Sequence, residues 1–450
     1  MTERRYQPIT LSTIERSPFW ERIPGDLRDG IRVVGQVLPF RVNAYVLEEL
    51  IDWAAVPDDP MFRLVFPLGE MLAPAEYAEM AAALARGDGV RPTAERIRAG
   101  LNPHPAGQLS HNVPEIDGRA LQGLQRKYRE TVLYFPAAGQ VCHAYCTFCF
   151  RWPQFVGDPD LRIQAQGSDD LVAFLRRTPE LTDVLVTGGD PMVMKAAVLA
   201  RHVEPLLDPA LDHVSTIRFG TKALTYWPHR FVTDPDADDL LRLFERITLS
   251  GRHVAVMAHV NHPVELSTPV VRAAIARIRA TGATLRVQAP LLRRINDDPA
   301  AWAELWRLAT RLGMIPYYMF VERDTGPRRY FEVPLARAAR IFAEAYRGVS
   351  GLARTVRGPS MSTLPGKVVV DGTVEIGGEQ RFALRFLQAR DPDWVNRPFH
   401  AAFDPEATWF DQLRPASPAD ARFFPHVAEG ATVPGGAAGG LAGERPAAAE

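Results

Sequence analysis

Cysteine is nearly absent from this chain, with three residues in 450. So sparse and odd a set of thiols excludes a disulfide-stapled scaffold, and a chain of this length can bury a core without staples. An excess of charge of one sign is also lacking, because 52 basic and 53 acidic side chains leave a net charge of −1. That balance gives no electrostatic footprint for nucleic acid or for an anionic membrane surface. No run of about twenty apolar residues occurs, so no membrane-spanning helix is expected. The opening Met1-Thr2-Glu3-Arg4-Arg5 passes to Pro8 with no apolar segment, and the expected location is the cytoplasm, a reducing compartment. Hydrophobic content of 46% and charged content of 23% are those of a soluble globular protein.

What is present is concentrated. All three cysteines fall in Val141-Cys142-His143-Ala144-Tyr145-Cys146-Thr147-Phe148-Cys149-Phe150-Arg151. Thiolates are soft ligands for iron and zinc, and a C-x3-C-x2-C loop can wrap three corners of a cubane [4Fe-4S] cluster. With no fourth cysteine, one iron would keep an open position for a small molecule. Two plainer readings stand beside this one: structural zinc completed by His143, or three buried apolar side chains without a role. Structural zinc usually draws on two separated cysteine pairs, and the second pair is missing.

Along the chain, residues 1–127 read as a helical N-terminal region without a chemistry motif. Trp20, Trp53 and Phe62 are its packing anchors, residues 46–55 and 74–86 have helical spacing, and 103–114 is a Pro/His/Asn-rich connection. From residue 128 strands and helices alternate. Strands are expected at 131–135, 183–187, 214–219, 253–259, 284–289 and 315–320, and helices at 168–177, 270–280 and 300–312. This repeat implies βαβ units and an α/β fold, a partial (β/α)6 barrel over residues 128–350.

Chemistry in such barrels gathers at the C-terminal ends of the strands. Those ends carry the cysteines, Gly188-Gly189-Asp190, Gly220-Thr221-Lys222, His259-Val260-Asn261-His262-Pro263, Gln288 and Glu322-Arg323-Asp324. A helix is expected at 334–345 and a loop at 354–367. Within a C-terminal region at 351–425, a hairpin at 368–376 should turn at Asp371-Gly372. Residues 426–450, rich in Gly, Ala and Pro, are expected to form a disordered tail.

With these pieces placed, residues 128–367 resemble the lysine 2,3-aminomutase family of radical S-adenosylmethionine (SAM) enzymes. The matching stretches are the cysteine loop with Arg151, Val186-Thr187-Gly188-Gly189-Asp190, Ile217-Arg218-Phe219-Gly220-Thr221, His259-Val260-Asn261-His262-Pro263, Leu291-Leu292-Arg293-Arg294-Ile295-Asn296-Asp297 and Pro316-Tyr317-Tyr318. The resemblance implies a [4Fe-4S] cluster on Cys142, Cys146 and Cys149 whose open iron chelates SAM. Reductive cleavage would then give a 5′-deoxyadenosyl radical that abstracts an unactivated hydrogen. It implies SAM contacts from Phe148, Gly188, Gly189, Asp190, His259 and Gln288, with Asp190 meeting the ammonium, and a substrate carboxylate on Arg151.

The resemblance also implies pyridoxal phosphate (PLP), held as an imine by a lysine in a glycine-rich loop. That loop aligns with Gly358-Pro359-Ser360-Met361-Ser362-Thr363, where Ser362 takes the lysine's place and Lys367 follows five positions on. Thr131 stands where the family carries an arginine near the phosphate, with Lys127 and Arg129 close by. Lysine-specific members hold the distal ammonium between two carboxylates; here those positions match Arg323, beside Asp324, and the vicinity of Thr355, beside Arg354 and Arg357. The implied substrate is an amino or organic acid, with Arg151, Arg323, Asp324 and Ser362 around it. A 1,2-amino shift, an isomerase reaction, is the default. The alternatives are a PLP-independent rearrangement, dehydrogenation or epimerisation, a lysine of a partner protein as substrate, or a noncatalytic iron-sulfur or zinc protein. Expected partners are the small-molecule carboxylate, an electron donor such as flavodoxin or ferredoxin and, by resemblance, further copies of the chain in a homo-oligomer; no nucleic acid or membrane is expected.

Overall fold

Residues 216–221 alternate between half-buried and fully buried side chains, and so do most positions of 284–289. This period of two marks strands whose opposite faces meet different surroundings. The computed structural model describes residues 4–428. Its strands are numbered in chain order. Two short antiparallel pairs lie before the main sheet: β1 (Ile9–Thr10) with β2 (Arg41–Val42), and β3 (Glu115–Ile116) with β4 (Arg119–Ala120). The remaining eleven form one sheet whose order follows the chain. They are β5 (Leu124–Tyr128), β6 (Thr131–Tyr134), β7 (Asp183–Val186), β8 (Thr216–Thr221), β9 (His253–His259), β10 (Thr284–Leu291), β11 (Ile315–Val321), β12 (Arg357–Ser362), β13 (Gly366–Ile376), β14 (Glu379–Ala389) and β15 (Pro398–Ala402). Neighbours from β6 to β12 pair in parallel, whereas β5 and β13 to β15 are antiparallel additions at the two edges.

Helices fill the crossovers because the sequence starts and stops them cleanly. In Pro269–Ala280 the Thr268 side chain accepts from the Val271 amide, Pro269 opens the first turn and Gly282, at φ 83°, lies just past the end. Val271, Ala274, Ile275 and Ile278 then form one buried stripe. Asp298 and Gly313 frame Pro299–Arg311 in the same way. Asp169–Arg177, Ala196–Val203, Ala237–Leu249 and Leu335–Arg347 occupy the other crossovers.

All six expected strands are present, and the parallel set is one strand longer than the sixfold repeat. The addition, β12, lies where a loop was expected over 354–367. Its Gly/Pro/Ser composition reads as punctuation, but close pairing demands it: a Cβ on Gly358 would meet the Met319 carbonyl oxygen at 2.4 Å. The C-terminal hairpin differs as well. Asp371-Gly372 sits at a register shift inside β13, and the turn is made by Gly377 and Gly378, both at positive φ. The helix expected over 46–55 shrinks to one wide turn, Val46–Leu50. The part of the expected tail beyond Ala428 lies outside the described residues. Among the described residues no helix is long and apolar enough to cross a membrane.

One hydrophobic core runs without a break from Ile14, Trp20 and Phe62 through the sheet to Val356. A second, rich in phenylalanine, packs β13 to β15 against Phe410, Phe423 and Phe424. The sheet curls until β5 meets the turn after β12, where the Lys127 ammonium donates to the Thr363 carbonyl.

The N-terminal region also grips the cysteine loop directly. Asn43 Nδ2 donates to the carbonyls of His143 (3.2 Å) and Tyr226 (3.0 Å), the Tyr145 amide to Arg41 (2.8 Å) and the Thr147 amide to Leu64 (2.9 Å). Replacing Asn43 by Ala removes both amide bonds from a fully buried position, and the expected loss is about 1–3 kcal/mol. A lowered urea midpoint at unchanged slope checks it.

Candidate active site

The cysteine loop follows β6, at the C-terminal end of the parallel strands. Its three thiols are free. Each is half-buried, and desolvation pushes its pKa up, to about 12 for Cys146 and about 11 for Cys149, and well above the ordinary value for Cys142. Thiols of this kind hold their protons at neutral pH until a metal displaces them.

Each also faces one cation that favours the thiolate: Arg41 for Cys142, Lys222 for Cys146 and Arg151 for Cys149. The Tyr226 hydroxyl lies 3.8 Å from the Cys146 sulfur. A single zinc ion would need its sulfurs about 3.8 Å apart. Among the described residues, however, the only trio of His, Cys, Asp or Glu ligand atoms within 4.8 Å of one another is His104, Asp324 and Asp411. The three sulfurs therefore do not all lie within 4.8 Å of one another. His143 is turned away, edge-on to Tyr6, with burial pulling it down to about 3.

The segment after β7 is built against this loop. A Cβ on Gly189 would meet the Val141 backbone at 2.4–2.7 Å, and one on Gly188, at φ 144°, would meet the Gln140 side chain. The glycines therefore admit the shoulder of the cysteine loop itself. Asp190 lies beneath these glycines and is fully buried. Its carboxylate accepts from the Thr221 hydroxyl (2.7 and 2.9 Å) and from the amides of Met192, Lys222 and Ala223 (2.8–3.0 Å). With both oxygens engaged internally, it ties the end of β7 to the end of β8.

Lys222 extends the same layer. Its ammonium donates to Glu265 (2.7 Å) and Asn261 (2.9 Å) and lies 4.3 Å from the Tyr226 ring centroid. His259 packs edge-on against Phe148 with centroids 5.5 Å apart, and pairs in register with Gln288 on β10. Burial, helped by Lys222, holds its imidazole neutral. Its Nε2 is buried without a hydrogen-bond partner among the described residues. An unpaired imidazole nitrogen beside an aromatic ring suits a planar heterocyclic ligand.

Farther inside, cations accumulate. Arg151 stacks between Phe135 (4.4 Å) and Phe150 (5.0 Å), and burial lowers it to about 10. Arg323 lies 5.2 Å from the same Phe150 centroid, its Nε buried and unpaired. Lys367 pairs directly across β12–β13 with Ser362, so the two side chains share a face. Its ammonium lies 4.2 Å from the Tyr318 centroid. Desolvation first, then Arg357 and Arg218, lower it to about 7.

Asp324 does not join this group; it reaches His104 at 3.5 Å. Arg354 instead spends its guanidinium on the Val349 and Arg347 carbonyls at the surface. Sequence reasoning missed Tyr6, Arg41 and Asn43, which lie in a segment without a motif and about a hundred positions before the loop they hold. It also missed Tyr226, for which the only available signal was its place one helical turn after Lys222.

Two sequence relatives and one solved structure set this site in context. A protein of Aquifex aeolicus, provisionally named L-lysine 2,3-aminomutase, is 32% identical over 396 residues, 87% of this chain and 92% of its own length. The L-lysine 2,3-aminomutase of Fusobacterium nucleatum is 28% identical over 234 residues, 52% of this chain and about half of that protein (51%). A radical SAM methyltransferase from Sphaerobacter thermophilus superposes with a TM-score of 0.36 at 18% identity, over 64% of this chain and 94% of that one. No family model matches the chain.

A Gly189→Ala change tests the packing of the loop. The added methyl forces Val141 away, so iron and sulfide bound after anaerobic reconstitution should fall several-fold while far-ultraviolet circular dichroism stays native.

Proposed function

This chain belongs to the lysine 2,3-aminomutase family of radical SAM enzymes, and we propose that it uses a 5′-deoxyadenosyl radical to act on a carboxylate-bearing amino acid, with 1,2-amino migration as the reaction. The carrying observation is the trio of deep thiols, each facing one cation, at the ends of parallel strands and beside Arg151. In this reading the curled parallel sheet serves as an open (β/α) barrel. Residues 1–127 cover it and brace the cysteine loop, and 351–425 carry the second cofactor.

When bound, a [4Fe-4S] cluster and SAM supply the organic radical. Cys142, Cys146 and Cys149 would hold the cluster, and the donor set suits it: soft, closely grouped and accompanied by cations that offset the charge of three thiolates. His259 and Phe148 offer a nitrogen and a ring face to the adenine, and Gln288 lies in register beside them. Arg151 presents its fork to a substrate carboxylate. Phe135 and Phe150 flank it and keep water from the reacting carbon.

The β12–β13 hairpin bears on PLP. Ser362 does align with the family's lysine, but Lys367 lies directly across the hairpin and faces the same interior. An amine lowered to about 7 is largely neutral under physiological conditions, the form that attacks a carbonyl. Burial, with Arg323 and Lys367 nearby, holds Lys127 well below the ordinary lysine value, and a bound phosphate would favour its charged form. When bound, PLP supplies a conjugated electron sink attached to the migrating nitrogen. Lys367 would tether it, Lys127 would orient it, and the Tyr318 ring would wall it on one side.

Two measurements test this reading. Anaerobically reconstituted protein, reduced in the presence of SAM and candidate amino acids, should release 5′-deoxyadenosine, and Cys146→Ala should abolish it. No 5′-deoxyadenosine under any condition would sink the proposal. Separately, borohydride should trap PLP on Lys367, located by peptide mass spectrometry. Because the neutral amine reacts, capture should rise between about pH 6 and 8, well below the window of an ordinary lysine near 10.4. Lys367→Ala should lose the adduct, and trapping at another lysine would remove PLP from this site.

A further inference from the structure

Tyr226 is fully buried, and among the described residues its hydroxyl has one partner, the Cys146 sulfur at 3.8 Å. No other side-chain hydrogen bond among those residues reaches a cysteine of the loop. The tyrosine is held from several sides. It ends the short helix Ala223–Tyr226 that follows β8, its amide donates to the Lys222 carbonyl (2.9 Å), and its own carbonyl accepts from Asn43 (3.0 Å). The Lys222 ammonium lies 4.3 Å from its ring centroid and is itself fixed by Glu265 (2.7 Å) and Asn261 (2.9 Å). A ring fastened in this way aims its hydroxyl at one place, and that place is Cys146.

The direction of that bond depends on what the sulfur carries. A thiol can donate its own proton to the phenol oxygen. Once iron takes the place of that proton, the thiolate can only accept, and the buried hydroxyl, with no other acceptor among the described residues, becomes the donor. A bond from O–H to an anionic sulfur is charge-assisted and strengthens as negative charge on the sulfur grows. Lys222 over the ring draws electron density from the phenol and sharpens it as a donor. Glu265 offsets the charge of that ammonium, so the directed dipole of the hydroxyl is the part that acts on Cys146 alone.

Resting on the cluster reading above, we propose that Tyr226 is a positioning residue that raises the reduction potential of the [4Fe-4S] cluster by donating its hydroxyl hydrogen to the Cys146 sulfur. A low-potential one-electron donor supplies the electron; no bond is made or broken in that step, and the hydroxyl keeps its proton. The added electron places more negative charge on the ligating sulfurs. The hydroxyl therefore stabilises the reduced form more than the oxidised form, and the potential becomes less negative. This eases the one-electron reduction that has to precede radical formation.

The test uses the full chain, reconstituted anaerobically with iron and sulfide and kept free of SAM so that nothing turns over. A dye-mediated titration with dithionite follows the electron paramagnetic resonance signal of the reduced cluster. Tyr226→Phe keeps the ring and its contact with Lys222 but loses the hydroxyl. At unchanged iron content, its ratio of reduced to oxidised cluster at a fixed potential should fall about tenfold, equivalent to a midpoint about 59 mV more negative for a one-electron couple. Replacing Tyr226 by 3-fluorotyrosine, a stronger donor of nearly the same shape, should move the midpoint the other way. Tyr145→Phe removes a hydroxyl that makes no bond to a cysteine among the described residues, and should leave the midpoint in place. An unaltered or less negative midpoint in Tyr226→Phe overturns the proposal, and so does an equal shift in Tyr145→Phe. Should Tyr226→Phe lose its iron, the fluorotyrosine protein decides, and a midpoint at the wild-type value overturns the proposal. Wild-type protein that takes up zinc rather than iron and sulfide strikes the cluster reading beneath it instead.

Discussion

Positive charge held inside a curled sheet is the constraint on which the rest of this structure depends. Taking a charge out of water is tolerated only where another charge, a ring face or a hydrogen bond answers it. The protein supplies these answers unevenly. Lys222 is fully answered by Glu265, Asn261 and the Tyr226 ring, and becomes a rigid neighbour of Cys146. Arg218 is answered by Asp183. Arg151, Arg323 and Lys367 meet aromatic faces without a carboxylate partner among the described residues. The unanswered cations define where chemistry can enter.

This division separates scaffold from site. Asp190, Glu265 and Asn296 are buried polar groups whose hydrogen bonds are spent on the protein itself: Asp190 joins β7 to β8, and Asn296 Nδ2 bonds the Asn261 and Pro290 carbonyls. They give the strand ends one rigid arrangement. His259, Arg323 and Tyr128 keep buried polar atoms unpaired among the described residues. A buried donor or acceptor left without a partner weakens the fold, and a ligand that paired with it would relieve that cost.

The N-terminal region follows the same logic by another route. It brings Arg41 to Cys142, and its backbone and Asn43 fasten the cysteine loop at several points. A loop proposed to bear three ligands gains from such stiffness, because each bond to a metal demands a particular direction. The cover and the barrel-like sheet share one hydrophobic core, so the loop is held between two parts of a single packed body.

The cysteine spacing, the six alternating strand and helix signals and the glycines past helix ends are local features. Periodicity, capping and ligand softness act over a few residues, and those parts were legible in the sequence alone. The parallel order of the strands and the polar residues at their ends followed from the same repeat. Where side chains meet across the sheet was a matter for the tertiary structure. β12 was hidden because its glycine and proline resemble a loop until they are seen pressed against Met319. Lys367 and Ser362 are five positions apart in the chain and opposite one another in space, a relation set by the register of a hairpin. Asp324 and Arg323 are adjacent in sequence yet diverge, one to His104 and the other to Phe150, because consecutive side chains at a strand end point in opposite directions. The sequence by itself determined the strand and helix repeat and the grouping of the three thiols, since both are written in short-range patterns. Only the tertiary structure decided which charges are answered and which remain open, since that depends on residues hundreds of positions apart.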